Sequence, residues 1–356
     1  MATSVLPQWS SFACDMISWS PDFSEIPAAL VNQSKTLNPD DIERLRKMRV
    51  DSLVYLASDP TSVRQRLYDR LWRLQRKILI SAIETLNDAS IQFLVFKGAE
   101  FVERYFDGHS IGMLYDVDIL IKRNDVGATK RALIGRGFRQ AIFDGELKQF
   151  IDRDVSEIAK MELSHYELAP FAWIEEILLP EDEFREATAY NEFPIWTVGD
   201  RAYFVVELDI HHGISMDMNG EELFDRAVPS IFNGAMTLAF HDAIWFTTSR
   251  YYVEVAAHGK RSLRDFVYLR ALLTREVVSW EEVARHARDL RIQPAVYYFL
   301  TFLNEIGPKV FDAEITDALR PADGVRDWGW MLTPLFASTP TFDFPFTPSR
   351  RRGSRH

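Results

Sequence analysis

A short apolar run, Leu114-Tyr115-Asp116-Val117-Asp118-Ile119-Leu120-Ile121, carries two carboxylates one residue apart. Side chains alternate along a strand, so Asp116 and Asp118 share one face while Val117, Ile119 and Ile121 share the other. Neighbouring anions on an apolar strand resist burial unless water, a cation or hydrogen-bond donors reach them. A hard divalent cation suits carboxylate oxygens, and Mg²⁺ completes its shell with water and substrate phosphate oxygens. The pair therefore points to phosphoryl chemistry. A solvated edge strand carries the same Asp-x-Asp, and the pattern alone favours that plainer reading.

The preceding stretch shifts the balance. Ile91-Gln92-Phe93-Leu94-Val95-Phe96 is a hydrophobic run that ends abruptly in Lys97-Gly98, and residues 99–106 then read as a helix. A glycine between strand and helix lets backbone amides approach an anion, and the helix N-terminus adds a favourable dipole. Lys97 supplies a point charge beside it. A tight turn accounts for Gly98 equally well, and a surface strand end for Lys97.

Together these residues resemble the bacterial nucleotidyltransferase-like proteins that share the DNA polymerase β superfold. That family's pattern is Leu-Lys-Gly, a short helix ending in Tyr, Arg-Pro-Met-Gly-Asp-Ile-Asp-Leu-Leu-Val, and later Asp-Leu-His-Trp. The matching stretches are Phe96-Lys97-Gly98, Tyr105, Asp116-Val117-Asp118-Ile119-Leu120-Ile121 and Asp209-Ile210-His211-His212. The likeness extends over residues 70–304. One position departs, with Gly112 standing where the family has Arg.

The resemblance implies an α+β fold. A polymerase-β-type nucleotidyltransferase core, a small mixed sheet with flanking helices, would lie between N-terminal and C-terminal helical regions. The expected bounds are 1–90 for the N-terminal region, 91–213 for the core, 214–336 for the C-terminal helical domain and 337–356 for a flexible basic tail. It also implies three acids around two metals. Asp116 and Asp118 supply two. Asp209 is the expected third because it opens the Asp-x-His segment, and Glu207 competes because it shares the same strand face. Lys97 and Gly98 are expected to hold nucleotide phosphates.

Composition narrows the partners. The 356 residues are 47% hydrophobic, enough for real cores, and the formal net charge is −11. A polynucleotide track needs a basic face, so nucleic acid is an unfavoured partner. Cys14 is the single cysteine, which excludes an intramolecular disulfide framework and makes a reducing cytoplasm the expected setting. No apolar run approaches the ~20 residues of a membrane helix. No Walker A, paired-glycine or G-x-S-x-G motif competes.

Asn38-Pro39-Asp40-Asp41 predicts a helix over 38–56, and Leu67, Leu71, Leu74, Ile78, Ala82 and Leu86 predict an amphipathic helix with Arg73, Arg76 and Lys77 on its wet side. Asn124-Asp125 to Arg136-Gly137 predicts another, with a left-handed glycine cap, before a strand over 138–143. Residues 164–168 read as a strand. Residues 195–198 and 202–210 read as a hairpin around Gly199-Asp200, placing Val205, Glu207, Asp209 and His211 on one face. Beyond Gly213 the chain reads as helical, with capping boxes at Ser262/Asp265 and Ser279/Glu282.

The expected activity is transfer of NMP from an NTP, with Mg²⁺ or Mn²⁺, to a small-molecule, peptide or protein acceptor. Natural-product biosynthesis is the setting that the resemblance implies. His211 and His165 could assist, since imidazole titrates near neutrality. Gly112 in place of Arg motivates an alternative, a binding protein that keeps the fold without turnover. A tRNA-modifying toxin of a toxin–antitoxin pair is a third reading, opposed by the acidic balance.

Overall fold

Local signals set the first helices. In the computed structural model, which describes residues 8–19, 26–189, 193–215, 218, 220–258, 262–307 and 309–320, α1 (Gln8–Ser18) and α2 (Ala28–Ser34) precede α3 (Pro39–Lys47). Asn38 accepts from the Asp41 amide and Asp41 from the Asn38 amide, a reciprocal cap with Pro39 in the first turn. The predicted single helix to residue 56 is broken at Arg49, whose φ of 61° cannot continue a right-handed helix. The chain restarts as α4 (Asp51–Ser58).

Asp59 accepts from the backbone and hydroxyl of Thr61, and this local turn delays α5 (Val63–Asp88) beyond Pro60. Leu67, Leu71, Ile78, Ala82 and Leu86 are buried along α5, and Leu74 is half-buried. Arg73, Arg76 and Lys77 are exposed, the latter two paired to Glu103 at 2.8 Å and Glu175 at 3.1 Å.

Next come β1 (Phe93–Phe96), α6 (Gly98–Tyr105), β2 (Asp116–Ile121) and α7 (Val126–Arg136), which Gly137 closes with a φ of 109°. The single strand expected over 138–143 is a two-stranded sheet of its own, β3 (Ala141–Asp144) with β4 (Gln149–Asp152). The strand expected over 164–168 does not form. Asp154 caps α8 (Val155–Ser164), which runs into that stretch, and a lone bridge joins Glu167 to His211.

The chain continues through β5 (Phe171–Ile177), α9 (Glu181–Ala189), β6 (Ile195–Val198), β7 (Arg201–His211), α10 (Glu222–Arg226), β8 (Val228–Pro229) and β9 (Met236–Thr237). The hairpin of β6 and β7 is the predicted one, turning at Gly199 with a φ of 62°. The main sheet has the order β5-β7-β2-β1-β9-β8, with β6 also on β7. β2 runs parallel to β7 and antiparallel to β1, so the sheet is mixed and the architecture is α+β as expected.

The helices α11 (Phe240–His258), α12 (Arg264–Arg275), α13 (Trp280–Asp289), α14 (Gln293–Glu305) and α15 (Ala313–Leu319) complete the chain. Ser279 caps α13 as predicted, whereas α12 starts after Leu263 and Ser262 accepts from the Arg264 amide instead. Arg66–Ala239 is one compact unit and holds both sheets. Met1–Gln65 and Phe240–His356 form the other, so helices expected as separate flanking regions share a unit. Ser18 donates to the Ile306 carbonyl at 3.0 Å, and the Leu263 amide to Met48 O at 3.0 Å. The predicted tail, 337–356, lies outside the described residues.

In this helical unit Arg64 Nε lies 3.2 Å from Asp51 Oδ2, and both side chains are buried. Removing one member of such a pair strands the other charge. Asp51→Ala is expected to cost about 3–5 kcal/mol. Urea unfolding checks it, and the double replacement Asp51→Leu/Arg64→Met should recover most of the loss.

Candidate active site

The site is built by register. In the parallel pair β2/β7, Asp116 lies opposite Glu207, Asp118 opposite Asp209 and Leu120 opposite His211. Partners across a pair point to the same side, so the two alternating acidic faces become one. Across the other edge of β2, Phe96 lies opposite Asp118, which brings the end of β1 and Lys97 to the same place. Gln75, buried on α5, donates to the Leu114 carbonyl at 2.7 Å and fixes the approach to β2.

Lys97 holds a backbone conformation that side-chain-bearing residues rarely adopt, φ 60° and ψ −136°, as it passes from β1 into α6. Such strain costs about 1–3 kcal/mol and collects at functional positions. Its ammonium reaches Asp118 Oδ1 at 2.5 Å and stands 3.5 Å from His211 Nε2. Gly98 opens α6, and a Cβ there would lie 2.7 Å from Leu114 Cδ2, a side chain buried in the core. Close packing, rather than a left-handed backbone, demands this glycine. The buried Glu100 anchors α6, accepting from Ser230 Oγ at 2.5 Å and the Ile231 amide at 3.2 Å.

His211 Nε2 lies 2.9 Å from the same Asp118 oxygen, and its Nδ1 lies 3.4 Å from Glu167 Oε1. An ionised carboxylate accepts only, so Nε2 carries the proton of this bond. Phe96 packs edge-on to the imidazole with centroids 5.2 Å apart. His165 is exposed and stacked on Tyr166 at 4.4 Å, and its Nδ1 lies 3.3 Å from the other oxygen of Glu167. Glu167 thus links the two histidines.

The electrostatics divide the acids. Burial alone would push Asp118 up, but the charge of Lys97 and the bond from His211 outweigh it and hold the carboxyl well below the usual range. Asp209 is pushed well above its ordinary value, first by burial and then by the charges of Asp116, Asp118, Glu167 and Glu207. His211 is held below its ordinary value by burial and by Lys97, against the pull of Asp118.

Every candidate ligand atom of Asp116, Asp118 and Asp209 is a carboxylate oxygen, the donor a hard divalent cation takes. The crowding that pushes Asp209 up is of the kind positive charge relieves, as Lys97 does at Asp118. Among the described residues these three acids do not bring their oxygens within 4.8 Å of one another, so a shared cation has to draw them together.

Of the residues singled out in the sequence, Lys97, Asp118 and His211 are in direct contact, and Asp116, Asp209 and Glu207 share their face. His165 stands one residue removed. Sequence reasoning missed Glu167. Its signal was its place between two candidate histidines, Glu167 bridging His211 while His165 lies two residues before it.

Gly112, where the resembling proteins have Arg, is buried with a φ of 67°, a conformation that favours glycine. No helix among the described residues is long and apolar enough to cross a membrane. No curated protein and no solved structure matches the chain. The family described as an uncharacterised nucleotidyltransferase matches residues 61–308, which takes in every residue of the acidic face. With that span covering more than half of the sequence, and a small mixed sheet as its core, the chain belongs to this nucleotidyltransferase family and is a transferase of nucleotidyl groups.

Proposed function

We propose that the chain transfers NMP from an NTP to a hydroxyl or similar group of a small-molecule, peptide or protein acceptor, with Mg²⁺ or Mn²⁺ as cofactor. The observation that carries this reading is the β2/β7 register, which sets Asp118 beside Asp209 and Asp116 beside Glu207 at the edge where Lys97 emerges. Asp116, Asp118 and Asp209 are the residues that would hold divalent ions, which supply positive charge to the phosphates and to the attacking oxygen. Asp209, opposite Asp118 in the register, is placed to accept the acceptor's proton. Lys97 and the first amides of α6 face the triphosphate, with the ammonium countering charge that gathers on the leaving pyrophosphate. His211 orients Asp118 through its Nε2 proton. Glu207 is the competing third carboxylate, and His165 stands behind Glu167.

Incubation with each α-labelled NTP and a cell extract tests the reading. Label is expected in a small or peptidic product, and no transfer under any divalent metal contradicts it. Binding of Mg²⁺ and NTP without transfer would instead favour a binding protein that lacks turnover, the reading Gly112 motivates.

Lys97→Ala is expected to weaken NTP binding and slow transfer by about 10²-fold, the order seen when one preorganised charge partner is lost. Kinetics across NTP concentrations check it, and unchanged values would place the ammonium elsewhere during turnover. With a net charge of −11, acceptor affinity should fall only modestly between low and physiological salt. A steep fall would mean a polyanionic acceptor.

A further inference from the structure

A second cluster of donor atoms belongs to the helical unit formed by Met1–Gln65 and Phe240–His356. His241 and Asp242 lie in the first turn of α11, and His286 lies in α13 one turn after Glu282. One donor atom from each of His241, Asp242 and His286 lies within 4.8 Å of the others, a set that forms among the described residues. His241 Nε2 is 3.7 Å from Asp242 Oδ2, and His286 Nε2 is 3.7 Å from Asp242 Oδ1. Ligands bonded to tetrahedral zinc at about 2.0–2.1 Å stand about 3.3–3.4 Å apart, so each histidine is within a few tenths of an ångström of that spacing to its own Asp242 oxygen, and an ion would draw the three donors inward from within 4.8 Å.

Two further observations favour a ligand. His241 Nε2 is buried without a hydrogen-bond partner, and a purely hydrogen-bonded role for the cluster leaves that nitrogen unsatisfied. Asp242 is wholly buried and already oriented, because Trp245 Nε1 donates to its Oδ1 at 2.8 Å, the kind of outer contact that aims a metal-binding carboxylate. The imidazoles of His241 and His286 are stacked within 5° of parallel. The Arg285 guanidinium stands 3.0 Å from His286 Nε2 and also pairs with Glu282. Its side chain is 45% exposed, so it can move into water and free that lone pair.

We propose that His241, Asp242 and His286 form a divalent transition-metal site of the zinc class, completed by Glu282 or water, which clamps the start of α11 to α13. Two imidazoles and a carboxylate suit Zn²⁺ and its neighbours rather than Mg²⁺, so the site differs in chemistry from the acidic face of the sheet.

The test uses the full chain, stripped with a chelator and titrated with Co²⁺ alone and then Zn²⁺ alone. One tight equivalent is expected with the intense visible absorption of four-coordinate Co²⁺, which Zn²⁺ displaces, and any further Co²⁺ taken up by the oxygen donors of the acidic face should lack that absorption. His241→Asn, at a part-exposed position, and His286→Asn should each weaken Zn²⁺ binding at least tenfold and remove the Zn²⁺-induced rise in Tm. Arg285→Ala should bind as tightly or more tightly, and Asp118→Asn should bind as the parent does. Absence of binding overturns the proposal, as does binding that survives both histidine replacements or is lost with Asp118→Asn. Should His286→Asn not fold, His241→Asn and Arg285→Ala decide alone.

Discussion

Asp118→Asn is expected to reduce nucleotidyl transfer by at least about 10³-fold, at the upper end of what losing one preorganised electrostatic group costs. It removes a metal-binding charge, the partner of Lys97 at 2.5 Å and the acceptor of the His211 bond at 2.9 Å. The same change should destabilise the metal-free protein by about 1–3 kcal/mol, because Lys97 loses its counter-charge while staying part-exposed. The Asp118 carboxyl lies below its ordinary value of 3.8 in the fold. Its stabilisation is therefore present above that pH and is lost as pH falls through the lower folded value. Chemical denaturation of parent and variant should show a gap that holds from pH 7 down to the ordinary value of 3.8 and narrows as the pH falls further. A gap that stays constant there would mean that the carboxylate is not the stabilising form.

Asp209→Asn is expected to abolish transfer to a similar degree while raising the stability of the metal-free protein. Here burial and four neighbouring carboxylates favour the protonated acid, so the folded value lies above 3.8. The stability linked to that proton is fully present below 3.8 and is lost as pH rises through the folded value. At neutral pH the parent carries the repulsion and the amide does not, so the advantage of Asp209→Asn should grow with pH. Mg²⁺ should reverse the order, raising the Tm of the parent more than that of the variant, since a ligand stabilises the state that binds it. A variant less stable than the parent throughout would show that Asp209 is a structural anion, and Glu207 would then be the better third ligand.

Much of this site was legible in period-two patterns. Asp116 and Asp118 alternate with Val117 and Ile119, and Glu207, Asp209 and His211 alternate with Leu208 and Ile210, so each face could be read from its own strand. The resemblance to polymerase-β-type proteins supplied the order in which those faces occur. The register that sets Asp118 against Asp209 is a tertiary fact written in neither strand. Nor did the sequence announce the positive φ of Lys97, which only the surrounding packing can hold. Glu167 was overlooked because α8 extends through what read as the start of a strand, leaving a single bridge to His211. β5 was missed because Phe171-Ala-Trp-Ile-Glu-Glu-Ile does not alternate, as befits a strand lying against β7 on one side with acids at its far end. His241 and His286 are distant in sequence and meet only where α11 packs on α13.

The central claim, nucleotidyl transfer on the Asp116–Asp118–Asp209 face, is tested most directly by following two positions of label on one NTP. With the full chain, Mg²⁺ and an accepting extract, α-phosphorus label should appear in the product and γ-phosphorus label should leave entirely as pyrophosphate, and both signals should vanish with Asp118→Asn. Label from the γ-phosphorus in the product would instead show phosphoryl transfer. Equal α-label transfer by Asp118→Asn and the parent would show that the chemistry lies elsewhere on the chain.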